Sequence, residues 1–265
     1  MRAITLLTDF GTADGYIAEV KGTLLSRAPD VMLVDLTHDV PPGDIAEAAY
    51  CIGRAWRRFP PGTVHLCVVD PGVGTERRAL AITAAGQFFV GPDNGLFTDI
   101  VSAKQSAAVS LPMISGAAPT FHGRDVFAPA AAALAGGAEL SSLGPPATDL
   151  VKLPQTRPQR RGEFLVGEVI HVDRFGTLVS NLPSAKIAPG ATVRLGVYDL
   201  PLRTTFADVP PGDPVAFAGS GGTIEIAVRN GRADVVLGAG RGVEVRATAL
   251  RRSEPKLRAT QELRN

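Results

Sequence analysis

The sequence predicts an α/β fold, with an N-terminal α/β domain built on a mostly parallel sheet and a smaller, β-barrel-like C-terminal domain. Short apolar runs alternate with longer, helix-periodic segments through residues 1–151, the pattern of parallel strands joined by covering helices. Residues 152–163 break that pattern with a proline-rich, charged and nearly apolar-free stretch that reads as a linker. Beyond it, over residues 164–265, helix signals fade and β-rich runs recur between Gly, Pro, Asp and Asn turns.

Taken in order, Ala3 to Leu7 is a first strand that ends at Thr8-Asp9-Phe10-Gly11. Tyr16 to Ser26 follows as a helix, with Ile17, Val20, Leu24 and Leu25 on one side. Val31 to Val34 is the second strand, ending at Asp35-Leu36-Thr37-His38-Asp39. Pro42 to Arg57 reads as a helix with Asp44 near its start, where a carboxylate suits the positive end of the dipole. Val64 to Val69 is the third strand, ending at Asp70-Pro71-Gly72-Val73-Gly74. Leu80 to Thr83 and Gln87 to Val90 form a hairpin, and Asp125 to Ala135 an alanine-rich helix. In the second half, Phe164 to Val172, Thr192 to Val197, Val215 to Ala218, Thr223 to Val228 and Val243 to Ala247 read as strands.

Composition narrows the function. Hydrophobic residues are 45% and charged residues 20%, enough to bury a full core, and a net charge of +1 points to no polyanionic partner. The basic cluster Arg251, Arg252, Lys256 and Arg258 reads as a solvated end. Cys51 and Cys67 lack the spacing of a disulfide framework or a zinc site, and Cys67 sits in an apolar run as a buried residue. The N-terminus goes straight into a strand, and no apolar stretch reaches roughly 18 residues. The expectation is a cytoplasmic protein with no signal peptide, no membrane span and no nucleic-acid partner.

Chemistry concentrates where the first three strands end. Asp9 with Gly11, Asp14 and Gly15, then Asp35, His38 and Asp39, then Asp70 with Gly72 and Gly74, share one predicted sheet edge, where open α/β sheets bind ligands. Asp and Gly are also ordinary turn residues, so each loop alone is slightly better explained as a turn. Together they predict an acidic pocket that admits close backbone approach. There is no dinucleotide fingerprint, phosphate-binding P-loop or nucleophile elbow, and His38, His65, His122 and His171 do not pair at metal-ligand spacing. The residues alone thus lead to an α/β enzyme with an acidic pocket and a second β domain.

Several segments sharpen this. Thr8-Asp9-Phe10-Gly11-Thr12 with Asp14, Asp35-Leu36-Thr37-His38, Val69-Asp70-Pro71-Gly72-Val73-Gly74-Thr75-Glu76-Arg77-Arg78, Pro92-Asp93-Asn94-Gly95-Leu96, Thr120-Phe121-His122-Gly123-Arg124-Asp125, Asp173-Arg174-Phe175-Gly176 and Thr223-Ile224-Glu225-Ile226-Ala227 follow in order along the chain. Together they resemble the S-adenosylmethionine (SAM) hydrolases, also called SAM hydroxide adenosyltransferases, relatives of the SAM-dependent fluorinase and chlorinase. The resemblance implies hydrolysis of SAM at C5′ by water to adenosine and methionine. SAM is then the substrate, with no cofactor and no metal. It also implies a homotrimer with each active site at a subunit interface. It places Asp70, Arg77 and His122 around the attacking water, Asp9 on the ribose hydroxyls and Asp14 on the methionine ammonium. Phe175 would flank the adenine, Ser220 would contact the methionine end, and Asn181 falls at the spacing of a substrate-side residue.

Each of these residues also has a plainer reading. Asp70 would start a turn, Arg77 would lie on the surface, His122 would begin a helix and Phe175 would be core. Two departures touch the adenine contacts. Thr177 stands where the family usually has Asn, and Arg229 precedes Asn230 where an Asn is often found. Two rival functions remain at this stage. A halogenase would hold chloride or fluoride where Asp70 stands, and a carboxylate there repels an anion. A non-catalytic SAM or nucleoside sensor would need Asp9 and Asp14 but not the Asp70, Arg77 and His122 set.

Overall fold

A computed structural model describes residues 2–103 and 105–250, so the basic cluster around Arg251, Arg252, Lys256 and Arg258 lies outside the described residues. The chain divides into two compact units, with the division between Pro154 and Gln155.

In the first unit the strands are β1 (Ala3–Thr8), β2 (Met32–Thr37), β3 (Val64–Val68), β4 (Ala79–Ala84), β5 (Gln87–Pro92) and β6 (Ala107–Leu111). Among the described residues they form one sheet in the order β2-β1-β3-β5-β4-β6. β1 pairs in parallel with β2 and β3, and β3 with β5, while β4 runs antiparallel to both β5 and β6. The sheet is mostly parallel, as the strand–helix alternation predicts. Its helices are α1 (Tyr16–Arg27), α2 (Ile45–Ala55), α3 (Thr98–Val101) and α4 (Ala128–Gly136), the last entered through a π-helical turn at Gly123–Phe127.

Strand alternation divides the core into two layers. Ile4, Leu6, Leu66, Ala79 and Ala81 pack with Ile17, Val20 and Leu24 of α1 and the alanines of α4. Leu7, Cys67, Leu80 and Ile82 pack on the opposite face with Ala48 and Ile52 of α2. Cover on both faces is why these strands read as continuous apolar runs. α2 begins at Ile45, later than the sequence suggests, because Asp44 caps it: its carboxylate accepts the Glu47 N–H at 3.0 Å. Pro42 and Gly43 are thereby left in the preceding loop. His65 is a fully buried core histidine. Its Nδ1 lies 2.7 Å from Thr5 Oγ1 and its Nε2 2.6 Å from Gln87 Oε1, and burial pulls its pKa from the usual 6.5 to about 4.

Arg78 fastens the end of this unit to the sheet. Its guanidinium donates to Asp93, whose side chain is almost wholly buried, and to the carbonyls of Thr148 and Asp149 at 2.8 and 2.9 Å. Asp93 accepts in addition the Val151 N–H at 2.9 Å.

The second unit contains β7 (Gln159–Arg161), β8 (Phe164–Val172), β9 (Leu178–Pro183), β10 (Thr192–Leu195), β11 (Tyr198–Arg203), β12 (Pro214–Ala218), β13 (Thr223–Val228), α5 (Ala233–Val236) and β14 (Glu244–Thr248). Pairing runs β8-β14-β10-β11-β12-β13-β9 and returns to β8, so these strands close into a barrel. The barrel core includes the fully buried Val193, Ala216, Ile224, Ile226 and Val245. β7 lies within the stretch that reads as a linker, and pairs with β8 outside the closed ring. No helix among the described residues is long and apolar enough to cross a membrane.

Candidate active site

β1 and β3 are parallel neighbours, so the residues that follow them share one sheet edge. There Asp9 and Asp70 line a cavity of about 540 Å³ in the first unit. Asp9 accepts the Gly43 N–H at 2.8 Å, which holds the Pro42-Gly43 loop against the cavity. The loop after β2 therefore supplies backbone, and not the carboxylates its sequence suggests. Asp35 is engaged by Lys21 at 2.6 Å and by His38 Nε2 at 3.1 Å, and Asp39 is not among the cavity-lining residues.

The segment after β3 turns sharply. Val73 N–H bonds to the Asp70 carbonyl at 3.2 Å and Thr75 N–H to the Gly72 carbonyl at 3.2 Å. Asp70 thus makes the turn with its backbone and keeps its side chain for Arg77, which the turn folds back upon it. Arg77 Nε donates to Asp70 Oδ1 at 2.8 Å and Nη2 to Oδ2, a bidentate pair. The Asp70 and Arg77 side chains are 5% and 9% exposed. Gly74 permits the next contact. Its φ is +78°, and a Cβ there would lie 2.9 Å from the Pro119 carbonyl oxygen. This close approach docks the turn on the segment that leads to His122.

His122 is buried, and its Nδ1 lies 2.9 Å from Arg77 Nη2. A guanidinium only donates, so Nδ1 is the acceptor and a neutral ring carries its proton on Nε2. Burial, and then the Arg77 charge, hold the imidazole below its usual pKa, which favours that neutral form. Asp70 and His122 line the cavity; Arg77 is not among the lining residues and joins them from behind. Arg77 Nη1 is buried with no hydrogen-bond partner among the described residues. Asp14 is exposed ahead of α1, outside the cavity lining.

The second unit has its own cavity, about 940 Å³, lined among others by Phe175, Thr177, Phe206, Ser220 and Asn230. Asp173 Oδ1 accepts the N–H groups of Phe175 and Thr177 at 2.9 and 2.8 Å. That tight turn leaves the Phe175 side chain out of the barrel core, and the residue is 76% exposed. Arg229 is absent from the lining; it caps the Ala207 and Val209 carbonyls at 3.3 and 2.7 Å, while Asn230 lines the cavity. Asn181 lies outside the lining too. Its Oδ1 accepts the Glu168 N–H at 2.9 Å and its Nδ2 donates to the Thr156 carbonyl at 2.8 Å, a brace for the barrel wall.

A family model described as the SAM hydroxide adenosyltransferase N-terminal domain matches residues 4–144, and its C-terminal counterpart matches residues 167–246. The chain belongs to the SAM hydroxide adenosyltransferase family. A protein named (R)-S-adenosyl-L-methionine hydrolase from Thermus thermophilus is 44% identical, over 93% of this chain and 99% of that one. One of the same name from Salinispora arenicola is 41% identical, over 93% and 97%. A fluorinase from an Actinoplanes species is 32% identical, over 84% and 90%. A crystal structure of an uncharacterized conserved protein from Thermotoga maritima superposes with a TM-score of 0.84 at 33% identity, over 92% of this chain and 99% of that one.

Beside the carboxylates, the first cavity of this family member has an aromatic wall that sequence reasoning missed, formed by Phe10, Tyr16 and Phe121. Phe10 and Phe121 stand next to residues already singled out, and each reads as ordinary core. Tyr16 offered a clearer signal, being a large aromatic at the first position of a helix whose apolar face begins only at Ile17.

Proposed function

We propose that this protein hydrolyses S-adenosylmethionine at C5′, giving adenosine and methionine. The observation that carries the reading is the Asp70–Arg77–His122 cluster, two of whose members line a cavity that also presents Asp9. The names of the similar hydrolases support the same reaction. The oxygen of water bonds to C5′, the C5′–S bond breaks, and its electron pair moves to sulfur, which becomes the neutral thioether of methionine. Asp70 accepts a hydrogen bond from the water and receives its proton, which passes on to solvent, while His122, its Nδ1 lone pair held by Arg77, offers Nε2–H to the water oxygen. Arg77 fixes both groups and balances the Asp70 charge. Asp9 accepts the two ribose hydroxyls, and Asp14 meets the methionine ammonium. A sulfonium is already a good leaving group, so the scheme requires neither cofactor nor metal. Holding water in line with C5′ can itself lower the barrier by about 7–11 kcal/mol.

The assembly proposed is a homotrimer with its active sites at subunit interfaces, where the partner subunit's Phe175 and Ser220 would meet adenine and the methionine end. Each cavity carries part of the expected residue set, Asp9 and Asp70 in one and Phe175 and Ser220, beside Asp173, Glu225 and two arginines, in the other, and this division supports it. The test is incubation with SAM, with and without chloride, in water enriched in heavy oxygen, followed by chromatography and mass spectrometry. Adenosine labelled at its 5′-hydroxyl is expected in both. A 5′-chloro-5′-deoxyadenosine product would make the protein a halogenase, and bound but intact SAM would make it a sensor.

A further inference from the structure

The reaction scheme leaves the aromatic wall of the first cavity without a task. Phe10 follows β1, Tyr16 opens α1 and Phe121 immediately precedes His122. Their rings meet edge to face, with centroids 6.5 Å apart for Phe10 and Tyr16, 5.9 Å for Phe10 and Phe121, and 5.6 Å for Tyr16 and Phe121. Tyr16 is 51% exposed, so its ring is not there to fill a core.

The charges around the wall are unevenly matched. The lining holds Asp9 and Asp70 and no Lys or Arg. Asp70 is balanced by Arg77, whereas among the described residues Asp9 accepts the Gly43 N–H and meets no cation. Arg124 lies over the Phe121 ring at 4.9 Å, but its charge is matched by Asp125 and Glu19. The wall therefore offers three ring systems and one carboxylate with no counter-charge among the described residues, surroundings that suit a cation.

We propose that Phe10, Tyr16 and Phe121 recognise the positive charge of the substrate's sulfonium, with Tyr16 setting the preference for a charged over an uncharged ligand. The proposal rests on SAM being the substrate. A sulfonium has no N–H to donate, so ring quadrupoles and the field of Asp9 are what can hold it. Bond cleavage erases that charge, so the wall loses its hold on methionine as methionine forms. The same preference keeps neutral thioether nucleosides from competing with SAM.

The test uses two ligands with no sulfonium to cleave: S-adenosylhomocysteine, neutral at sulfur, and sinefungin, which carries a protonated amine in the corresponding place. Calorimetry on the wild type, Tyr16→Leu and Tyr16→Phe gives the ratio of the two Kd values. Tyr16→Leu is expected to erode the preference for sinefungin by about fivefold, and Tyr16→Phe to keep it within about twofold, since the ring and not the hydroxyl is at work. If Tyr16→Leu does not fold, Phe121→Leu gives the same reading. Equal weakening of both ligands would overturn the proposal, because it would mean packing or recognition of the α-ammonium that both share. So would an unchanged ratio. A wild type that binds neither ligand and forms no adenosine would instead overturn the hydrolase reading.

Discussion

Replacing Arg77 by lysine keeps a positive charge and removes a planar fork. One guanidinium makes three contacts: Nε with Asp70 Oδ1 at 2.8 Å, Nη2 with Asp70 Oδ2, and Nη2 with His122 Nδ1 at 2.9 Å. An ammonium can keep one carboxylate oxygen in place, and loses one charge-assisted bond and the imidazole contact. Hydrogen bonds to charged groups contribute about 1.5–3 kcal/mol, and both side chains are less than a tenth exposed, so solvent compensates little. The expected cost is about 2–5 kcal/mol, a fall in Tm of roughly 5–15 °C for a chain of this size. Turnover should fall by about a hundredfold, the usual effect of misplacing groups around a reacting atom by about 1 Å. Arg77 is not in the cavity lining, so SAM affinity should stay within about threefold. The pH profile carries the sign. Burial, and secondly the Arg77 charge, depress the His122 pKa. A lysine that no longer abuts the ring repels imidazolium less, so the His122 pKa rises and the acid limb of kcat moves to higher pH. Adenosine formation at saturating SAM, measured well below both melting temperatures, checks each point. A folded variant with wild-type turnover and an unmoved acid limb would remove Arg77 from the mechanism.

Asp9→Ala should weaken adenosine binding by roughly thirtyfold or more, from the loss of about 2–4 kcal/mol of charge-assisted bonding, and calorimetry giving an unchanged Kd would show that Asp9 does not face the ribose. His65 gives a stability signature. Its folded pKa of about 4 lies below its usual 6.5, so its contribution is complete above pH 6.5 and is lost as pH falls towards 4, when the unfolded chain takes up a proton that the core refuses. Denaturant titrations should show about 1.4 kcal/mol of this loss per pH unit, about 3 kcal/mol in all, and His65→Gln should flatten that slope; equal slopes would rule His65 out. Gly74→Ala meets both a positive φ and the Pro119 carbonyl, and should cost about 2–4 kcal/mol together with turnover. Gly116→Ala is the control, with φ +85° and nothing within 4 Å, and should cost only about 1–2 kcal/mol without affecting turnover; equal losses in the two variants would show that the Pro119 contact is immaterial.

Local pattern made the first unit readable. β1, β3 and the hairpin of β4 and β5 are apolar runs bounded by turn residues, and α1 repeats its apolar positions at helical spacing. Barrel closure was less legible, because β8 meets β14 across most of the second unit and no local signal encodes that partner. β9 and β11 escaped notice: Tyr198–Arg203 is interrupted by Pro201, and Leu178–Pro183 carries Ser180 and Asn181 in mid-strand and ends on proline. At the candidate site, the sequence singled out Asp9, Asp70, Arg77 and His122, all of which lie at or directly behind the first cavity. It could not show that Asp35 faces Lys21, nor that Asn181 braces backbone, since those outcomes depend on residues distant in the chain.

Arg77 and Arg78 are consecutive, yet one reaches Asp70 and His122 while the other ties Asp93 to the Thr148 and Asp149 carbonyls. Neighbouring residues in extended chain point to opposite sides, so their assignment is a matter of parity. Surface connections ordinarily tolerate insertions and deletions. Between Gly74 and Ala79 this freedom is withdrawn: adding or removing one residue would hand each arginine the other's position, separating the site from its counter-charge and the 148–151 segment from its fastening in one step. A point substitution at the exposed Glu76 leaves the count untouched, whereas Thr75, also exposed, ties the turn through its hydroxyl to the Gly72 carbonyl at 2.7 Å. The segment is therefore fixed in length as well as at Gly74, Arg77 and Arg78, and an engineered graft of this turn must conserve the number of residues along with those identities.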